Sequence, residues 1–193
     1  MRATIVSPSP KRTRSLGRAL GKLLQPGDIV LLTGELGSGK TQFAKGIAQG
    51  LGIARPITSP TYNLIYEYRD DRDGRVLLRH FDLYRLEDKR ELNDIDYFGL
   101  LEDNVVSVVE WGDKFPDALP LDFLLIDFEF ENEKERILSY EATGKRRQEL
   151  MKAVENAAEG AFETGDEEET VEVGILEDEI LADEALEEAS YGD

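Results

Sequence analysis

The stretch Gly34-Glu35-Leu36-Gly37-Ser38-Gly39-Lys40-Thr41 has the residue types and spacing of a phosphate cradle: a glycine, four residues, then Gly-Lys-Thr. Glycines let backbone N–H groups turn inward around phosphate oxygens, and a helix opening at Lys40 aims its N-terminal dipole at the same anion. Lys40 offers a point charge to the outer phosphates, and Thr41 offers a hydroxyl to Mg²⁺. The nucleotide contacts expected from this loop are Glu35, Leu36, Gly37, Ser38, Gly39, Lys40, Thr41 and Gln42. A cradle hydrolyses nothing alone. It needs a carboxylate near Mg²⁺ and a group that places the attacking atom.

Three further segments supply such groups. Glu110 closes the apolar run "NVVSVVE", at the kind of strand end where open α/β sheets hold their ligands. It is a candidate Mg²⁺ ligand or water-orienting group; without the cradle it would read as a solvated strand-end glutamate. In "HFDLYR", His80 and Asp82 are two apart on a strand and share a face. Asp82 is a second candidate for the metal shell or for polarising water, whereas His80 reads first as a core histidine. In "SPTY", Ser59 and Thr61 flank a proline-stiffened turn that either senses a γ-phosphate or simply precedes a strand. No Asn/Thr-Lys-x-Asp segment occurs late in the chain, which favours ATP over GTP.

The elements that must position these groups follow from pattern. Ser9 caps and Pro10 opens a helix carrying Leu16, Leu20, Leu23 and Leu24 on one face. "DIVLLTG" is a continuously apolar strand, buried on both faces. After the loop, Ala44, Ile47, Ala48 and Leu51 line a second helix. "TYNLIYEYR" predicts a strand with Tyr62, Leu64, Tyr66 and Tyr68 on one side, "DDRDGR" a hairpin turn, and "VLLRHFDLYRL" a second strand. A helical stretch is expected around "EDKRELNDIDYFGLLE", then the strand ending on Glu110, then a hairpin from "DFLLIDFEF" and "ERILSYEATG". This is an α/β layer fold with a mixed sheet.

Composition bounds the rest. With 193 residues the chain suits one domain and an appendage. No apolar run nears the roughly 18 residues that span a bilayer, and "MRATIVSPSPKR" lacks a signal-peptide core. The absence of cysteine excludes disulfides and thiolate metal sites and fits a cytoplasmic protein; a lone histidine excludes multi-histidine sites. Net charge is −18, but 17 of the 41 acidic residues and only one of the 23 basic residues lie in 148–193. Residues 1–147 are read as the domain. Residues 148–193 are read as an acidic extension, partly helical through Leu150, Val154 and Ala157 and then disordered. Such a tail repels nucleic-acid phosphate; it is read first as a solubilising appendage, with screening of a basic partner surface or competition with nucleic acid for the body as the alternatives. The basic stretches "KRTR" and "KRR" are short and lack interleaved aromatics, so they read as solvated element ends.

The segments "GELGSGKT", "TSPTYNL", "HFDLYRL" and "VEWGDK", in this order and spacing, resemble the TsaE (YjeE) family, and the resemblance runs from about residue 5 to residue 144. It implies a P-loop NTPase-like mixed sheet flanked by helices, which binds ATP and Mg²⁺. It implies that Lys40 and Thr41 hold phosphates and Mg²⁺, that Glu110 stands in for the usual Walker B aspartate, and that Asp82 is needed for hydrolysis. Ser59 and Thr61 would lie in a switch-like loop, and Trp111, which by its place alone reads equally as a strand-end core aromatic, would flank the nucleotide. The partners implied are the TsaB and TsaD proteins, which transfer a threonylcarbamoyl group onto tRNA from an adenylate made by TsaC. The resemblance gives this chain the role of resetting their complex by ATP hydrolysis, weak alone, with tRNA met only through the complex. Two alternatives stand beside it: a small-molecule kinase, which needs clustered arginines where Arg79, Arg85 and Arg90 are scattered, and a nucleotide-dependent adaptor with little hydrolysis. Arg85 is the one arginine suggested for stabilising transferred charge.

Overall fold

Ser9 ends the first extended run and starts the first helix. Its hydroxyl accepts from the Arg12 N–H at 3.1 Å and Pro10 takes the first helical position, which fixes the start of α1 (Pro10–Gly21). A computed structural model describes residues 2–142 and 144–163. In it, helices cover both faces of a mixed seven-stranded sheet in the order β1-β7-β6-β2-β5-β4-β3. The strands are β1 (Arg2–Ser7), β2 (Ile29–Gly34), β3 (Ile65–Arg69), β4 (Val76–Asp82), β5 (Val106–Glu110), β6 (Leu124–Phe130) and β7 (Arg136–Ala142). Central β2 runs parallel to β5 and β6, and β4 parallel to β5. The outer pairs β3–β4, β6–β7 and β1–β7 are antiparallel.

The unbroken apolar runs occupy the middle of the sheet, as burial on both faces requires. Val30 and Leu32 of β2 and Val108 of β5 face one core, with Leu16 and Leu20 of α1 and with Phe43 and Ile47 of α2 (Lys40–Gly50). Leu31, Phe81 and Val109 face the other, with Leu92 of α3 (Glu91–Asp94) and Tyr97 and Leu101 of α4 (Tyr97–Glu102). All four of β2's apolar residues are buried.

Helices α1 and α2 meet backbone to backbone. A Cβ on Gly17 would lie 2.3 Å from the Phe43 carbonyl oxygen, and one on Gly46 would lie 2.1 Å from that of Arg14. Glycine at 17, 21, 46 and 50 thus forms the seam, and it holds the helix that begins at Lys40 rigidly against its neighbour.

Several expectations change. The strand β1 was not legible, because its partner β7 lies at the other end of the domain. The helical stretch expected around 87–102 consists of two short helices, broken at Asp96, whose φ is +50°. Leu23 lies beyond the end of α1 and is exposed. The strand expected from Tyr62 starts only at Ile65, because Asn63 and Leu64 N–H groups both bond the Pro60 carbonyl, at 2.8 and 2.6 Å, in a turn that leaves Leu64 at φ +63°. Tyr62 is therefore exposed, and only Tyr66 and Tyr68 share the strand. The domain boundary expected at 147 falls inside α5 (Gly144–Glu163). That helix buries Leu150, Met151, Val154 and Ala158 in the same core as Leu16 and Leu20. Arg12 donates to the Ala158 carbonyl at 2.6 Å, Arg146 to the Leu23 carbonyl at 2.6 Å, and Arg147 pairs with Asp28 at 3.2 Å. The acidic segment 164–193 lies outside the described residues.

Candidate phosphate-binding site

The glycine-rich loop joins β2 to α2, so the candidate phosphate cradle hangs from the centre of the sheet onto a helix N-terminus. Gly34 sits at φ +114°, and a Cβ there would lie 2.3 Å from the Phe128 carbonyl oxygen. Glycine is required on both counts. Glu35, Leu36 and Gly37 form the exposed rim, Gly39 is half-buried, and Ser38 is buried.

Lys40 folds back into this loop. Its Nζ donates to the carbonyls of Gly34 at 2.6 Å and Glu35 at 2.7 Å, lies 3.4 Å from Ser38 Oγ, and sits 4.1 Å above the Trp111 ring. Burial pulls its pKa below the ordinary lysine value, against the opposing pull of Glu110, Asp82, Asp113 and Asp127. Trp111 reaches it through a left-handed backbone, φ +61°, held by its own N–H donating to the Leu32 carbonyl at 2.8 Å. The Tyr84 ring packs 5.0 Å from the indole.

Two strand-end carboxylates stand beside the cradle. Asp82 and Glu110 are directly paired across parallel strands β4 and β5. Glu110 is buried; its Oε2 accepts from the Thr41 hydroxyl at 3.0 Å and its Oε1 lies 2.9 Å from His80 Nε2. Asp82 Oδ2 accepts from Ser59 at 2.7 Å and Thr61 at 2.5 Å, and Oδ1 accepts from the Tyr84 N–H at 3.0 Å. The two hydroxyls are themselves 2.6 Å apart. Two networks therefore lie side by side: one ties the cradle to Glu110, the other ties the Ser59–Thr61 loop to Asp82.

The remaining sequence candidates are more scattered. Gln42 points from the first turn of α2 towards α1, where its Oε1 accepts from Arg14 at 2.6 Å. Arg85 stacks 4.3 Å from the Tyr62 ring. Arg79 is buried on Glu67 at 2.9 Å and Asp103 at 2.6 Å, and Arg90 pairs with Asp88 at 2.6 Å. These three arginines do not converge. Sequence reasoning missed the His80–Glu110 contact, the Arg14–Gln42 contact and the bond from Thr33 to Asp127. Each joins residues on different elements, and only the sheet register or helix packing reveals it.

A hydroxyl hydrogen-bonded to a carboxylate, with a second carboxylate on the next strand, is a set of hard oxygen donors and fits Mg²⁺. Among the described residues, no group of three or more histidine or acidic side chains could hold a metal by itself. Mg²⁺ needs no such cage, since it keeps several waters and shares phosphate oxygens. A buried ammonium among backbone carbonyls, at the start of a helix, likewise fits an anion entering the loop.

Known proteins match over this same region. A family model described as "Threonylcarbamoyl adenosine biosynthesis protein TsaE" matches residues 7–138. The tRNA threonylcarbamoyladenosine biosynthesis protein TsaE of Bacillus subtilis is 37% identical over 138 residues, covering 72% of this chain and 84% of the relative. The protein of the same description from Treponema pallidum is 42% identical over 115 residues, covering 60% and 82%. The crystal structure of the B. subtilis protein YdiB superposes with a TM-score of 0.66 at 30% identity, covering 81% of this chain and 95% of that one. The chain belongs to the TsaE family of tRNA threonylcarbamoyladenosine biosynthesis proteins.

Proposed function

We propose that this protein binds ATP with Mg²⁺, hydrolyses it weakly when alone, and uses that hydrolysis to sustain repeated threonylcarbamoylation of tRNA by TsaB and TsaD. The observation that carries the reading is the hydrogen bond from Thr41 to Glu110, which joins the first turn of the phosphate-loop helix to a buried strand-end carboxylate. Thr41 and Glu110 would hold Mg²⁺, with Asp82 on the adjacent strand. Bound Mg²⁺ supplies charge neutralisation on the phosphoryl oxygens. Lys40 exchanges two backbone carbonyls for phosphate oxygens, a charge-assisted replacement. Trp111 covers that ammonium and excludes water from it. Ser59 and Thr61 must leave Asp82 to reach a phosphate, so the loop carrying them can register what occupies the cradle.

The kinase reading is weakened because Arg79 and Arg90 are held by carboxylates rather than gathered over the cradle. The adaptor reading draws on Asp82, whose two oxygens already accept three hydrogen bonds. Asp82→Asn separates it from the ATPase reading: a variant that binds ATP but cannot support modification favours hydrolysis, and normal support favours docking alone. The primary test is multiple-turnover threonylcarbamoylation by purified TsaB, TsaD and TsaC with this protein absent, present, or carrying Lys40→Ala. Turnover beyond the first round only with the intact protein is the expected result. Equal progress in all three reactions overturns the proposal.

A further inference from the structure

His80 is wholly buried, and among the described residues its polar contact is with Glu110. Its Nε2 lies 2.9 Å from Glu110 Oε1, while Nδ1 meets no hydrogen-bond partner among those residues. A carboxylate oxygen accepts from a ring N–H, so Nε2 is the donor in this contact, and the ring's other nitrogen takes no part in it. A histidine placed only to fill the core would be replaced by an apolar ring without loss. Here the polar nitrogen is aimed at a single oxygen of a single carboxylate.

That oxygen is the one Thr41 does not use. The terminal torsion of a glutamate is broad and roughly two-fold, so an unrestrained Glu110 would sample orientations that turn either oxygen towards the cradle. The bond to His80 holds Oε1 against the sheet and leaves Oε2 facing Thr41. Strand geometry makes this possible. His80 and Asp82 share a face of β4, Asp82 is in register with Glu110, and His80 is in register with Val108, so His80 reaches Glu110 diagonally across one strand pair. Asp82 is engaged by Ser59, Thr61 and the Tyr84 backbone and takes no part in holding Glu110.

We propose that His80 is a positioning residue that orients the Glu110 carboxylate for Mg²⁺-nucleotide. The inference rests on the ATP-binding reading above and deepens it. Groups that orient a ligating carboxylate typically change metal affinity by about 10- to 100-fold when removed. The effect belongs to the Mg²⁺-dependent part of nucleotide binding, because Lys40 and the loop amides meet phosphate without His80.

The test uses the full chain with His80→Phe, which keeps a ring but removes the donor, and His80→Gln, which restores a donor near the position of Nε2. Calorimetry measures ATP binding in EDTA and then the Mg²⁺ concentration giving half-maximal tightening at fixed ATP. Thermal melts report folding. The expected result is that binding in EDTA is the same within about twofold for all three proteins. The half-saturating Mg²⁺ concentration rises about 10- to 100-fold in His80→Phe and returns most of the way in His80→Gln. Turnover falls through kcat with little change in the KM for ATP. If His80→Phe keeps the wild-type Mg²⁺ response, whatever its melting temperature, the histidine only packs and the proposal is overturned. Equal Mg²⁺ defects in Phe and Gln overturn it as well. If His80→Phe does not fold, His80→Asn takes its place as the variant whose donor falls short of Glu110. The Mg²⁺ defect is then expected in His80→Asn and not in His80→Gln, and equal responses of these two overturn the proposal. A wild-type protein that binds ATP with no Mg²⁺ dependence sinks the ATP–Mg²⁺ reading itself, and the role of His80 falls with it.

Discussion

At Lys40 the demands of folding conflict with those of the proposed phosphate binding. It is a buried ammonium whose pKa is pulled down by burial, so the folded state binds its proton less readily than the unfolded chain does. The sign follows from linkage: the penalty is fully present below the folded pKa and is relieved as pH rises through it towards the ordinary lysine value. Lys40→Met is therefore expected to melt at a higher temperature than wild type near neutral pH without nucleotide, with the gap closing as the buffer is taken towards about pH 10. The same variant is expected to bind ATP about 10- to 100-fold more weakly, since it loses hydrogen bonds from a charged donor. Thermal melts across pH and a binding titration check both halves; a destabilised variant at neutral pH contradicts the first. Lys40, Thr41, Asp82, Glu110, Ser59 and Thr61 could be singled out as candidates from the sequence, by their types and local spacing. Their mutual bonds were not. That Thr41 meets Glu110 while Ser59 and Thr61 meet Asp82 depends on which strand lies beside which.

At the scale of elements, the continuous apolar runs of β2 and β5 announced themselves as central strands, and the Ser9–Pro10 cap set the start of α1 to the residue. The glycine seam did not announce itself. Gly17, Gly21, Gly46 and Gly50 look like weak points when each helix is read alone, and intrinsic propensity predicts that alanine would strengthen either helix by about 1 kcal/mol. The structure reverses that sign. Gly46→Ala puts a methyl group 2.1 Å from the Arg14 carbonyl oxygen, so α2 must move or α1 must give way. A net loss of about 1–3 kcal/mol in urea denaturation is expected, together with weaker ATP binding because α2 begins at Lys40. Unchanged or raised stability would show that the helices can slide apart at little cost.

Across the whole molecule, the acidic composition of residues 148–193 hid the fact that the helix expected through Leu150 and Val154 belongs to the core. Leu150, Met151 and Val154 are buried as deeply as the sheet residues they accompany, so Leu150→Ala is expected to cost about 2–5 kcal/mol in a denaturation experiment. A solvated helix would lose almost nothing. The expectation of an appendage arose because average charge over so long a segment says little about one apolar stripe at its start. The strand β1 has its own consequence. Among the described strands its sheet neighbour is β7 alone, and Ile5 pairs with Leu138 across nearly the full length of the domain. Contacts that distant in sequence close late, because the chain between them must be ordered before they return any stability. While the ribosome is at work, residues 2–7 have no slot to enter until residues 136–142 have emerged and paired with β6. The segment that forms this edge is therefore synthesised first and paired last, and this side of the sheet is completed only when almost everything else is in place.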